Sequence, residues 1–122
     1  MLTDAGPLVA LFDEDDHHHT ACNTLLTSLP YGPLTTTWPC LTEAMYLLNG
    51  VGGYRYQGRL WRTRRDGRLQ LLDLTEPEME RMDALMALYS SVPMDLADAS
   101  LVAVAESRGY SRLFTLDSDF FI

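Results

Sequence analysis

Apolar positions along this chain alternate between short runs and helical spacing. Leu2-Thr3 reads as the end of a short strand, and Pro7 to Phe12 as one or two helical turns. Asp13-Glu14-Asp15-Asp16 interrupts the pattern. A helix over 17–29 follows, with Ala21, Leu25, Leu26 and Leu29 on one face. Pro30-Tyr31-Gly32-Pro33 is a turn. Leu34-Thr35-Thr36-Thr37 is β-branched and short, which suits a buried strand. Pro39 opens a helix carrying Leu41, Ala44, Met45 and Leu48; it is expected to stop at Asn49-Gly50, with Gly52-Gly53 beyond. An arginine-rich segment over 54–66 ends at Gly67, and Leu69 to Leu74 reads as a strand. Thr75-Glu76-Pro77-Glu78 has the form of a capping box with proline in the first turn. Its helix reaches about Tyr89, with Met79, Met82, Met86 and Tyr89 as an apolar stripe suited to core or to a dimer interface. A largely apolar, hence buried, helix runs from Asp95 to about Arg108 and ends at Gly109. Arg112 to Leu116 is the last strand, followed by Asp117-Ser118-Asp119.

Strands that alternate with helices imply a three-layer α/β/α fold with a short, mostly parallel central sheet. No repeat, low-complexity tract or linker divides the 122 residues, so a single domain over 1–122 is expected. The composition, 47% hydrophobic and 21% charged, is that of a chain able to bury a core, which excludes disorder. No apolar run approaches the ~20 residues that cross a bilayer, and Met1-Leu2-Thr3-Asp4 has no basic leader. A cytoplasmic protein without membrane association is the expectation. Cys22 and Cys40 are then expected to be reduced, buried thiols rather than a disulfide or a zinc site.

Charge changes the picture more. The chain carries −8 overall, which argues against nonspecific nucleic-acid binding. All nine basic residues are arginines, and six of them lie between Arg55 and Arg68. With Asp66 that segment carries +5, leaving −13 on the remainder. One basic patch therefore sits on an acidic body.

The acids are placed as informatively as the arginines. In a parallel sheet, ligands sit outside the carboxyl ends of the strands. Asp4 follows the first strand; Glu43 lies in the first two turns after the second; Asp98 opens the buried helix; Asp117 and Asp119 follow the last strand. All belong to one edge of the sheet. Each has a structural reading taken singly: Asp4 as a helix cap, Asp95 and Asp98 as a capping box, Asp117 and Asp119 as turn residues. Glu43 is harder to explain that way, because it sits between Leu41 and the apolar run from Ala44 to Leu48. Crowded together in a low dielectric, these carboxylates would repel one another, and a hard divalent cation offsets that repulsion.

Asp4 after a strand, Thr42-Glu43-Ala44 after Thr35-Thr36-Thr37-Trp38-Pro39, Met94 to Leu101, and Thr115-Leu116-Asp117-Ser118-Asp119-Phe120 resemble, in order and spacing, a PIN domain. More closely, the chain resembles VapC-type toxin ribonucleases over essentially its whole length. The resemblance implies a metal-dependent endoribonuclease, paired with a cognate antitoxin and forming a homodimer. It places the family's four acids on Asp4, Glu43, Asp98 and Asp117, which would hold one or two Mg²⁺ or Mn²⁺ ions and cut RNA with a metal-activated water. Thr115 falls on the hydroxyl position that helps order the site, Asp119 on an auxiliary acid, and Asp95 is a nearby acid better suited to capping the helix. Two departures stand out. Ala5-Gly6-Pro7 replaces the Thr or Ser that often follows the first acid, and the chain ends at Ile122, so a final edge strand is expected to be short, incomplete or absent.

On a helix, Arg55, Arg59 and Arg62 form one stripe, with Arg65 near it and Tyr56 and Trp61 interleaved. Three readings stand: a clamp on the RNA backbone, an antitoxin-docking surface, or a solvated face anchored by Trp61. His17-His18-His19 reads as a polar helix start or rim contact, since three consecutive histidines on a helix cannot all face one ion. The chain could also be a PIN-like module that binds RNA or a partner without cleaving. A phospho-accepting receiver ranks last, for lack of any lysine near the acids.

Overall fold

A computed structural model describes residues 1–28, 32–92 and 94–116. The elements run β1 (Leu2–Thr3), α1 (Ala5–Phe12), α2 (His19–Ser28), β2 (Leu34–Thr37), α3 (Trp38–Gly52), α4 (Tyr54–Arg65), β3 (Leu69–Leu72), α5 (Glu76–Leu88), α6 (Leu96–Arg108) and β4 (Leu113–Phe114). The four strands form one parallel sheet in the order β3-β2-β1-β4. The α/β architecture with helices on both faces matches the expectation from the sequence.

The layers follow from the two-residue period of a strand. Phe114, Leu34, Leu69 and Leu71 face one side, where they pack with α1, α3 and α4 through Leu8, Leu41, Ala44, Leu48 and Leu60. Their neighbours Leu113 and Leu72, with Leu2, face the other side and meet Leu101 and Val104 of α6. Beyond α6 lies α5, joined to it through Met82, Ala99 and Ala103. The methionine stripe is thus divided: Met82 is core, Met86 packs beside it, and Met79 and Tyr89 are exposed. Trp61 packs against the first core as an anchor of α4. Cys22 and Cys40 are buried and unpaired, as expected of reduced thiols.

Element boundaries shift where capping outweighs periodicity. The first helix begins at Ala5 rather than Pro7, because Asp4 caps it and proline is tolerated within the first turn. Helix α3 runs through Asn49-Gly50 to Gly52 instead of stopping there. Its end is set by Gly53, at φ +63°, whose N–H bonds the Asn49 carbonyl. At Gly52 a Cβ would lie 1.8 Å from a Tyr56 ring carbon, so any other residue there would force the Tyr56 ring to shift. β3 and β4 are shorter than expected, ending at Leu72 and Phe114. Leu29, Pro30, Tyr31, Asp117 and Asp119 lie outside the described residues. Among the described residues no helix is long and apolar enough to cross a membrane.

Candidate active site

The chain builds the sheet outward from β1 to β2 and β3, then returns to lay β4 on the other side of β1. The switch point therefore falls between β1 and β4, and the crevice outside their carboxyl ends is the expected ligand position. Asp4 and Thr115 occupy those two ends. The Asp4 N–H bonds the Phe114 carbonyl at 2.9 Å, so the parallel pairing extends to the crevice itself. Asp4 is buried, with 8% of the residue exposed. Its Oδ1 accepts from the Ala5 N–H at 2.7 Å, and its Oδ2 accepts from the Thr115 hydroxyl at 3.0 Å. Asp4 thus does cap α1, and the cap orients its second oxygen toward the end of β4.

Asp98 arrives from the opposite layer. Asp95 caps α6, its Oδ1 accepting the Asp98 N–H at 2.8 Å, as the sequence suggested. A carboxylate in a helix's first turn is ordinarily favoured by the helix dipole. Here other forces dominate: burial first, then the charge and hydrogen bonding of Asp95, then the charge of Asp4, push the Asp98 acid up to about 7. Glu43, half-buried in α3, lines a cleft of about 650 Å³ together with Asp95.

What holds these segments together is a buried polar network that motif reading missed. The Thr36 hydroxyl donates to the Thr3 carbonyl at 2.7 Å, tying β2 to the end of β1. Ser100 Oγ donates to the Ala97 carbonyl at 2.7 Å and lies 2.6 Å from Thr37 Oγ1, which itself accepts the Cys40 N–H. One hydroxyl proton each leaves a single consistent direction: Cys40 N–H to Thr37, Thr37 to Ser100, Ser100 to Ala97. This chain latches the start of α3 to the start of α6, the two helices that carry Glu43 and Asp98. The Cys40 thiol lies 3.9 Å from Asp4 Oδ1 and 3.7 Å from the Ala97 carbonyl. Burial pushes it up to about 12, with Asp4 adding to the shift, so it stays protonated and acts as a weak donor rather than a ligand. The only advance signal was the run Thr35-Thr36-Thr37, since the partner Ser100 is 63 residues away.

The oxygen-only donors at this edge, with a protonated thiol behind them, fit a hard divalent cation rather than zinc. Among the described residues no three of His, Cys, Asp and Glu already converge on one point. Asp117 and Asp119 lie outside the described residues. His17, His18 and His19 lie apart from this edge; His19 Nδ1 bonds the Ala10 carbonyl at 2.7 Å.

The arginine segment is helical. The Arg55 and Arg59 guanidiniums stand 5.7 and 5.4 Å from the Tyr56 ring centroid. Arg62, Arg64 and Arg65 fall in the last turn, where they complement the helix dipole. The ion pairs among the described residues are Arg81–Glu106 and Arg108–Glu78, so none involves this patch.

The fold is shared with solved proteins. VapC20 of Mycobacterium tuberculosis, a toxin that cleaves the sarcin–ricin loop, superposes with a TM-score of 0.89 at 22% identity, covering 98% of this chain and 92% of that one. A toxin–antitoxin complex from Klebsiella pneumoniae matches with a TM-score of 0.69 at 21% identity, covering 98% of this chain and 88% of that one. No curated protein sequence matches the chain significantly. The PIN domain family model matches residues 1–121, and the chain belongs to that family.

Proposed function

We propose that this protein is a divalent-metal-dependent endoribonuclease and the toxin of a toxin–antitoxin pair. Asp4, Glu43, Asp98 and Asp117 would hold one or two Mg²⁺ or Mn²⁺ ions. The observation that carries this reading is Asp4 at the switch point of a parallel sheet, with Asp98 near enough that the Asp4 charge adds to its cost of ionisation. Asp4 caps α1 with one oxygen only, and the raised acid of Asp98 adds nothing to stability at neutral pH, which favours a functional role for the pair. Bound there, a divalent cation would acidify water and offset charge on the phosphate oxygens.

The chain's own residues have distinct tasks. Thr115 fixes the rotamer of Asp4 through its hydroxyl. The Thr37–Ser100 latch sets the spacing of the helices that present Glu43 and Asp98. The likeness to a sarcin–ricin-loop-cleaving toxin and to a toxin–antitoxin complex supports RNA as substrate and an antitoxin as partner. Purified protein incubated with total RNA in Mg²⁺, Mn²⁺ or EDTA, beside Asp98→Asn, tests the reading. Metal-dependent cuts absent from the variant are expected, leaving 5′-phosphate and 3′-hydroxyl ends. A folded wild-type protein that neither binds metal nor cuts RNA would favour a non-catalytic binding module.

A further inference from the structure

Two clefts meet at Trp38. One, of about 650 Å³, is mainly apolar and is lined by Trp38, Tyr46 and Leu96, with Glu43 and Asp95 among them. The other, of about 610 Å³, follows the sheet edge at β3 from Asp73 to Leu69 and is flanked by Arg64 and Arg65. Trp38 lines both. An indole is ordinarily buried, yet Trp38 is 45% exposed and Tyr46 is 78% exposed. Trp38 is not loose: it is the first residue of α3 after the Thr37 cap, and its Nε1–H donates to Asp73 Oδ1 at 3.3 Å. That bond gives the indole ring a defined orientation in the structure.

From this placement we infer that the RNA strand cut at the acids lies across Trp38. A base beside the scissile phosphate stacks on Trp38 and Tyr46, and the sugar–phosphate backbone then runs along β3 onto Arg64 and Arg65. The inference deepens the nuclease reading and rests on it for the position of the scissile bond. The chemistry at each station suits an unpaired strand. Exposed aromatic faces take up bases whatever their sequence, and arginine forks take up phosphates. Four residues of β3 span about 13 Å, room for a strand of a few nucleotides between the aromatic platform and the arginines. The assignment also divides the basic patch. Arg64 and Arg65 line the track, whereas Arg55 and Arg59 lie against Tyr56 and line neither cleft.

The test uses the full chain carrying Asp98→Asn, so that the probe survives, with a fluorescein-labelled single-stranded 12-nucleotide oligouridine in Mg²⁺. Adding Trp38→Leu should weaken binding about 5- to 100-fold without changing its salt dependence, while Trp38→Phe keeps most of the affinity. Arg64→Gln with Arg65→Gln should flatten the slope of log K against log salt by about 1.4, the share of two single-strand phosphates. Arg81→Gln, on a remote helix, should change neither. With Trp61→Phe as background, RNA should quench the fluorescence of Trp38. Unchanged affinity in Trp38→Leu, or a loss that light scattering traces to a changed oligomeric mass, would overturn the track. A cleavage arm separates the two claims. Wild-type cutting with an unchanged KM in Trp38→Leu sinks the track alone, whereas Trp38-dependent binding by a protein that never cuts RNA sinks the nuclease reading alone.

Discussion

Each end of helix α6 meets a carboxyl group, the buried Glu78 of α5 at one end and its own half-buried Asp98 at the other, and the two are treated oppositely. At its C-terminal end Arg108 reaches the Glu78 carboxylate at 2.8 Å; that carboxylate is 3% exposed and also accepts from the Thr75 N–H and from Ser107. Arg108 first, then these hydrogen bonds, hold the Glu78 acid well below the usual carboxylate range, outweighing desolvation. At the N-terminal end Asp98 forms no ion pair among the described residues, stands beside Asp95 and Asp4, and is pushed up to about 7. The first arrangement is self-sufficient: it closes the capping box of α5 and ties α5 to α6. In the second, no cation is paired with Asp98 among the described residues. A carboxylate paired within its own fold serves stability, whereas an unpaired one with a raised acid in a crevice is a candidate for function.

Breaking each end should therefore give opposite phenotypes. The largest effect expected is on activity: Asp98→Asn or Asp4→Asn should cut RNA cleavage by more than about 100-fold, since loss of groups that merely support metal ligands already costs 10–100-fold. Circular dichroism should show the fold unchanged. Next comes Glu78→Ala, which should lower unfolding free energy by about 3 kcal/mol in urea titrations at pH 7. That is the low side for a broken buried pair, because Arg108 is partly exposed. Ser100→Ala removes the acceptor of the Thr37 hydroxyl. It should cost about 1–2 kcal/mol and reduce cleavage about tenfold, while restoring the hydroxyl with Ser100→Thr should recover part of both if the methyl fits.

The pH dependences separate the two ends most finely. Glu78 has a lowered folded value, so its contribution is present above about 4.5 and is lost as pH falls below it. Thermal melts of Glu78→Gln should accordingly change less below pH 4.5 than those of the wild type. Asp98 has a raised folded value, so its contribution is present below about 3.8 and is lost as pH rises through about 7. In metal-free buffer Asp98→Asn should gain on the wild type as pH climbs from 4 to 8, and added Mn²⁺ should erase that gain. A wild-type protein whose metal-free stability relative to Asp98→Asn is flat across this range would mean the two ends do not differ. The smallest effect concerns Cys40, which should resist thiol reagents at pH 8 until the protein unfolds.

Local features were legible from the chain itself. The Thr75–Glu78 capping box, the Asp95 cap and the alternation of strands and helices all rest on residues a few positions apart, and the structure shows each of them. That Asp4 and Glu43 follow the carboxyl ends of β1 and β2 was also foreseeable, because a parallel sheet puts those ends on one side, whereas Asp98 follows helix α5 and its position depends on how α6 packs. The end of α3 was not foreseeable, because the pattern does not tell which of the glycines from Gly50 to Gly53 turns the chain, and it is Gly53, at φ +63°, that does so. Nor was the exposure of Trp38, since apolar spacing cannot tell which face of a helix start will be left uncovered.

The sequence by itself determined the kinds of groups available and their order: oxygen acids after strands, arginines gathered on one helix, small and β-branched residues where elements must meet. Only the tertiary structure decided which of them act on one another. Thr37 finds Ser100, Thr115 finds Asp4, and Asp98 acquires its raised acid from burial first, with its near neighbour Asp95 and then the distant Asp4 adding to it. The physical reason is range: propensity and capping act within one turn of chain, whereas desolvation and charge coupling act through space between segments that folding alone brings together.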